Sequence, residues 1–178
     1  MENFDILNED GEPLGIVKSR DETHRKGLWH KTVHIWILNS KDELLIQKRA
    51  SSKESHPDLW DISCAGHIEA GTTPEEAAQR ECREELGIDV DAGDFTCIFT
   101  VRQQYRLNKN TFLDNEFCNV FLLRKDLLLA ALKLHDKEVA AVKWIHWRAL
   151  EKRCSSRDFV EHPDEYRELF KLLAGRAR

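Results

Sequence analysis

Long apolar runs, paired cysteines and a surplus of positive charge are all missing from this 178-residue chain. The longest apolar run, Leu127 to Leu132, falls far short of the ~20 residues a membrane-spanning helix needs, so no membrane association is expected. The N-terminus, MENFDILNED, lacks the basic and apolar regions of a signal peptide. Cys64, Cys82, Cys97, Cys118 and Cys154 are odd in number and form no CxxC pair. Free thiols in a reducing cytoplasm fit that pattern better than a disulfide frame or a zinc ribbon. Lys and Arg number 27 against 32 Asp and Glu, a net charge of -5, which argues against binding a nucleic-acid polymer through its phosphates. No stretch is dense enough in Gly, Pro or Ser to link two domains. What is present, 41% apolar and 33% charged residues, is the profile of a soluble globular protein, and one domain over residues 1–178 is expected. Folding at this length buries roughly 70% of the unfolded surface, enough for a core without staples. Nothing in the composition chooses between a monomer and a homodimer.

Patterning sets the order of elements. FDILNEDGEPLGIV carries two apolar stretches around Asp10 and Gly11, which predicts an N-terminal hairpin over about 1–20. KSRDETHRKGLWHK reads as a basic connector. Val33, Ile35 and Ile37 alternate with His34 and Trp36, and NSKD turns into Glu43 to Arg49, a second predicted hairpin. A loop with Pro57 leads to the short segment LWDISCAGHIEAG. The clearest helix begins at Thr73 as N-cap, with Pro74 at the first helical position, Glu76 completing a capping box and Gly87 closing the far end. Phe95 to Leu107 and Phe112 to Leu123 read as long strands around the turn LNKN, and Val139 to Trp147 as another strand. From Pro163 onward, Tyr166, Leu169, Phe170 and Leu173 recur at helical spacing, predicting a last helix over about 163–175. Strands interleaved with helices predict an α/β fold, a mixed sheet covered by helices on two faces.

On the helix from Pro74 to Leu86, Ala78, Cys82 and Leu86 make a narrow apolar stripe. At ~100° per residue, Glu81, Glu84 and Glu85 fall within an arc of roughly 100° beside it. Three carboxylates facing one small volume repel one another unless water or a cation lies between them. Hard divalent ions such as Mg²⁺ accept oxygen ligands of this kind and complete their shell with water and substrate phosphate oxygens. Taken alone, such a face is commonly just solvated.

The surrounding run, AGHIEAGTTPEEAAQRECREELGI, closely resembles the Nudix box. Gly66, Arg80, Glu81, Glu84, Glu85, Gly87 and Ile88 match it at the required spacing. Two positions depart: Thr72 stands where the family has its first Glu, and Cys82 replaces an aliphatic residue, which a thiol on an apolar stripe can mimic. Glu69 is near enough in sequence to stand in for the missing acid. The resemblance implies a Nudix α/β/α sandwich with a loop-helix-loop over 66–88 that binds Mg²⁺ or Mn²⁺ and hydrolyses a small-molecule diphosphate linked to another moiety. It implies Glu81, Glu84 and Glu85 as metal ligands, Arg80 orienting a glutamate by a bidentate ion pair, and the backbone carbonyl near Ala65 or Gly66 as a further ligand.

Outside the box, VHIWILNS, LLIQKRASSK, PDLW, AGH and DNEFCNVF are similar to the branch of the superfamily that contains type I isopentenyl-diphosphate isomerase and its hydrolase-like relatives. That likeness puts Arg49 and Lys53 on the substrate diphosphate. It also puts His34, His67, Asp114 and Glu116 at a metal bound by histidines and two acids, with Glu116 as a further ligand or base. A further histidine of that set is not at its expected spacing, although His24 and His30 lie nearby. Asp114 and Glu116, two apart on a strand, share a face. The isomerase cysteine directly precedes the Gly-His pair; here Ala65 holds that place and Cys64 comes one residue too early. Hydrolysis is therefore favoured over isomerisation. A catalytically weak diphosphate-binding domain, suggested by Thr72 alone, is the third reading. Trp29, Trp36, Trp60 and Tyr105 are candidates for stacking on the substrate's other half, and more commonly such scattered aromatics belong to the core.

Overall fold

A computed structural model describes residues 2–53, 55–107, 109 and 111–176. The elements in chain order are β1 (Asn3–Leu7), β2 (Pro13–Ser19), α1 (Arg20–Lys26), β3 (Trp29–Leu38), β4 (Glu43–Arg49), β5 (Trp60–Asp61), β6 (Cys64–His67), α2 (Pro74–Leu86), β7 (Phe95–Leu107), β8 (Phe112–Arg124), β9 (Val139–His146), α3 (Trp147–Glu151) and α4 (Pro163–Arg176).

The expected N-terminal hairpin forms, β1 and β2 pairing antiparallel. The basic connector does not stay irregular. Its centre is α1, capped by Ser19, whose hydroxyl accepts from the Glu22 amide, and closed by Gly27 in the left-handed conformation. Helix α2 carries the full capping box between Thr73 and Glu76 and ends on Gly87 at φ 67°, a backbone region in which glycine has no Cβ penalty. Trp147 opens α3 instead of ending β9. Of the turn expected at LNKN, Asn108 and Asn110 lie outside the described residues.

Strands β3 and β4 meet as a hairpin only at its closed end, through Leu38 and Leu44. Beyond that they splay. β3 runs parallel to β8 along its whole length and antiparallel to β6, while β4 pairs with β5 and β9. β3 is thereby a central strand with both faces covered, which is why His34 and Trp36 are buried along with Val33, Ile35 and Ile37. One face packs Val33, Ile35, Ile37 and Leu45 against Ala77, Ala78, Cys82 and Leu86 of α2. The other packs Trp36, Leu44, Ile46 and Val120 against Leu150 of α3 and Leu169, Phe170 and Leu173 of α4. A mixed sheet between helical layers results. The splay between β3 and β4 opens the space in which the polar residues gather.

Candidate active site

A cleft of about 710 Å³ lies where β3, β6 and β8 face the exposed side of α2 and the end of β4. It contains Arg49, Lys53, Gly66, His67, Arg80, Glu81, Glu84, Glu85, Asp114, Glu116 and His34. Residues from widely separated segments of the chain thus share one volume.

Helix α2 supplies the wall of carboxylates. Glu85 is buried, accepting from Gln47 Nε2 at 3.2 Å and from the Ala65 amide at 3.3 Å. Glu81 is nearly as enclosed, and Glu84 stands at the mouth with 60% of its side chain exposed. The three do not converge equally: two line the interior and one the rim. Burial, reinforced by Glu85, pushes the Glu81 carboxyl up to about 8, and burial also raises Glu85. Glu81 has a cationic partner in Arg80, yet its carboxyl still stays high. Gly66 lies so close to Glu81 that a Cβ there would overlap its carboxyl group.

Arg80 does not form the expected fork on one glutamate. Its Nη2 donates to Glu81 Oε1 at 2.7 Å and to the His67 carbonyl at 2.7 Å, tying the helix to β6. Its Nη1 lies 3.5 Å from Glu69. The Thr72 hydroxyl donates to the Glu69 carbonyl at 2.7 Å, so Glu69 reaches the arginine from the turn where Thr72 replaces an acid.

Across the cleft, β8 presents Asp114 and Glu116 on one face, as their spacing required. Asp114 Oδ1 is 3.4 Å from His24 Nε2 and 3.6 Å from His30 Nε2, and His67 Nε2 is 3.3 Å from His24 Nε2. His24, His30, His67 and Asp114 form one four-membered group with ligand atoms within 4.8 Å of one another. His24 comes from α1 and His30 from β3. His30 Nε2 and Asp114 Oδ1 are buried without a hydrogen-bond partner, and burial depresses His30 to about 4 and His67 well below its ordinary range. Neutral imidazoles with orphaned polar atoms beside a carboxylate suit a divalent ion. His34 is not in this group: its Nδ1 meets Glu165 Oε2 at 2.7 Å, and with Glu165 and Cys118 it makes a separate buried cluster. Glu116 is pushed up to about 8 by burial and by Asp114, while Gln103 Nε2 donates to it at 2.7 Å.

Arg49 is held toward the cleft by Asp61, at 3.1 Å, and by the carbonyl and hydroxyl of Ser55. Lys53 is paired with Glu138. Of the four aromatics considered for stacking, Trp29 and Trp36 are core, Trp60 lies under the Lys143 ammonium, and Tyr105 alone lines the cleft. Cys64 is fully buried beneath α2 while Ala65 lines the cleft.

A model of the NUDIX domain matches residues 28–166. The chain belongs to the Nudix domain family. It is 39% identical to Nudix hydrolase 3 of Arabidopsis thaliana over 184 residues, 99% of this chain but 24% of that protein, so it spans about a quarter of that relative's length. It is 32% identical to isopentenyl-diphosphate Delta-isomerase of Escherichia coli over 143 residues, 80% of this chain and 76% of that one. A crystal structure of a Deinococcus radiodurans protein superposes with a TM-score of 0.74 over 96% of this chain and 98% of that chain, at 24% identity. That likeness is one of fold, and the Nudix sandwich is the architecture observed. Within this Nudix domain the sequence had pointed to the glutamate helix, Arg49, Lys53, His67, Asp114 and Glu116. It had not pointed to Asp61, Gln103, Glu138 or His162, which carry no local motif and reach the cleft only through long-range pairing.

Proposed function

We propose that this chain hydrolyses a small-molecule diphosphate linked to another moiety, with Mg²⁺ or Mn²⁺ as cofactor. The observation that carries the reading is the pair Glu81 and Glu85, enclosed, raised in pKa and facing an open cleft. Among the described residues, nine carboxylates but only five Lys and Arg side chains line that cleft, and an anion would be repelled unless divalent cations were bound there. Glu81, Glu84 and Glu85 would hold one such ion, with the Gly66 region beside them. His24, His30, His67 and Asp114 form a second donor set with Glu116 beside it, and His34 would serve from its own cluster with Glu165 and Cys118. A bound divalent ion neutralises phosphate charge and acidifies water.

The chain's own groups divide the remaining work. Arg49 and Lys53 hold the diphosphate by charge-assisted hydrogen bonds. Glu116, in its carboxylate form, takes the proton as water oxygen attacks phosphorus and the phosphorus–oxygen bond of the leaving group breaks. Arg80 keeps Glu81 and β6 in register.

The histidine group and Glu116 also fit the isomerase reading. Against it, Cys64 is sealed in the core and Ala65, half-buried, lines the cleft in its stead. Steady-state turnover of two variants separates the two: Glu85→Gln is expected to lower kcat on the order of 10²-fold, about 2.7 kcal/mol, and Cys64→Ala to leave it within threefold. Loss of activity in Cys64→Ala with full activity in Glu85→Gln would make the protein an isomerase. Turnover of no diphosphate by a well-folded, metal-loaded protein would leave a binding domain.

A further inference from the structure

The cleft contains a continuous chain of hydrogen bonds that neither the glutamate helix nor the histidine group uses. Arg49 Nη1 donates to Asp61 Oδ2 at 3.1 Å. The other oxygen of that carboxylate, Oδ1, lies 2.9 Å from His162 Nε2. His162 Nδ1 is 3.3 Å from Tyr105 Oη, whose single hydrogen has two acceptors at 3.2 Å, Gln103 Oε1 and the Glu161 carbonyl. The Gln103 amide then donates to Glu116 Oε2 at 2.7 Å. Six side chains from β4, β5, the segment before α4, β7 and β8 thus join the group proposed to hold phosphate to the group proposed to take the proton.

The geometry is built in. Gln103 and Glu116 are directly opposite in the β7–β8 register, and Tyr105, two residues on, shares their face. His162 and Asp61 are each over 90% buried, so neither is free to rotate into solvent. The Arg49 ion pair and the His162 hydrogen bond hold the Asp61 carboxyl far below the usual range despite its burial.

We infer that His162 is a positioning residue that couples the phosphate clamp at Arg49 to the orientation of Glu116, through Asp61 on one side and Tyr105 and Gln103 on the other. This rests on the diphosphate reading above, but it concerns residues no motif assigns. A phosphate that draws Arg49 away from Asp61 leaves that carboxylate to His162 and the Ile62 amide, and the change passes along the chain to Glu116.

The test is a double-mutant cycle on the metal-loaded enzyme. Tyr105→Phe keeps the ring and removes only the hydroxyl; His162→Phe removes both ring nitrogens. Each is expected to lower kcat on the order of tenfold, the scale of one lost hydrogen bond, with KM within twofold. The double variant should lose no more than the worse single variant, and His162→Gln, which restores a donor, should recover part of the rate. Additive losses, or losses confined to KM, would overturn the coupling. Nitrogen NMR of the Gln103 side-chain amide supplies a readout independent of turnover. Inorganic pyrophosphate should shift the Gln103 amide signals in the wild type and much less in His162→Phe and Tyr105→Phe; equal shifts in all three would also overturn it. If the wild type hydrolyses no diphosphate, the functional reading fails on its own while the NMR arm still decides the coupling.

Discussion

Residue 66 shows how one missing carbon shapes the site. Gly66 belongs to β6, hydrogen-bonded beside Val33 of β3, and the Glu81 carboxyl fills the space a Cβ would need. Because that carboxyl is the end of a flexible side chain, Gly66→Ala is expected to displace Glu81 without unfolding β6. Turnover should fall at least tenfold while the melting temperature moves by only a few degrees; a large stability loss with unchanged kcat would show that the glycine serves packing alone. At the same scale, arrangement within one local pattern was legible: helical spacing gives Glu81, Glu84 and Glu85 a common face and strand alternation gives Asp114 and Glu116 one, while their roles came from the family resemblance. Their different burial was not legible. Glu84 sits at the mouth and Glu85 inside because of the way α2 lies against β6, which depends on contacts distant in sequence. His34 stands apart from the histidine group for the same reason: Glu165, 131 residues later, meets its Nδ1 from α4.

Among the elements, α2 was readable to its ends because cap, first turn and closing glycine all lie within one short run. The capping box is also a stability device, and Thr73→Ala is expected to cost about 1 kcal/mol, measured by urea unfolding; no change would mean that packing of Ala77, Ala78 and Cys82 alone holds the helix. Helix α1 carried a comparable signal, Ser19 three residues before Glu22 and Gly27 beyond the end. Its polar, basic composition concealed it, since a seven-residue helix with no apolar stripe looks like a connector. That helix matters to the site, for it delivers His24. The β3–β4 hairpin shows the opposite limit: it forms, but only at its closed end. Adjacent strands were expected to pair, yet β3 takes its parallel partner from β8, 86 positions along the chain, and the clue was a strand buried on both faces.

For the molecule as a whole, the net charge of -5 is concentrated where it is least expected for an enzyme of phosphates. The enclosed acids bind protons more tightly when folded than when unfolded: Glu81 and Glu116 titrate near 8 against 4.5 in the unfolded chain. His34, raised by Glu165 and Cys118 against the opposing effect of burial, acts in the same sense. Stability contributed by such groups is present at low pH and lost as pH rises through the folded pKa. His30 and His67, which are depressed, act in the opposite sense, but only below about 6.5. The metal-free protein is therefore expected to melt at a progressively lower temperature from about pH 6.5 to pH 8, and Mg²⁺ should raise the melting temperature more at pH 8 than at pH 6.5. A flat profile, or a Mg²⁺ effect that shrinks with pH, would mean the carboxylates are already compensated within the protein.

Whether water attacks phosphorus in this cleft is tested most directly by phosphorus NMR of the purified protein with Mg²⁺ and a panel of diphosphates that includes isopentenyl diphosphate and nucleoside diphosphate derivatives, run in ¹⁸O-labelled water, with proton spectra of the same samples. Hydrolysis predicts release of phosphate or a monophosphate carrying ¹⁸O on phosphorus. A shifted double bond in isopentenyl diphosphate, with no phosphate released from any compound, would contradict it.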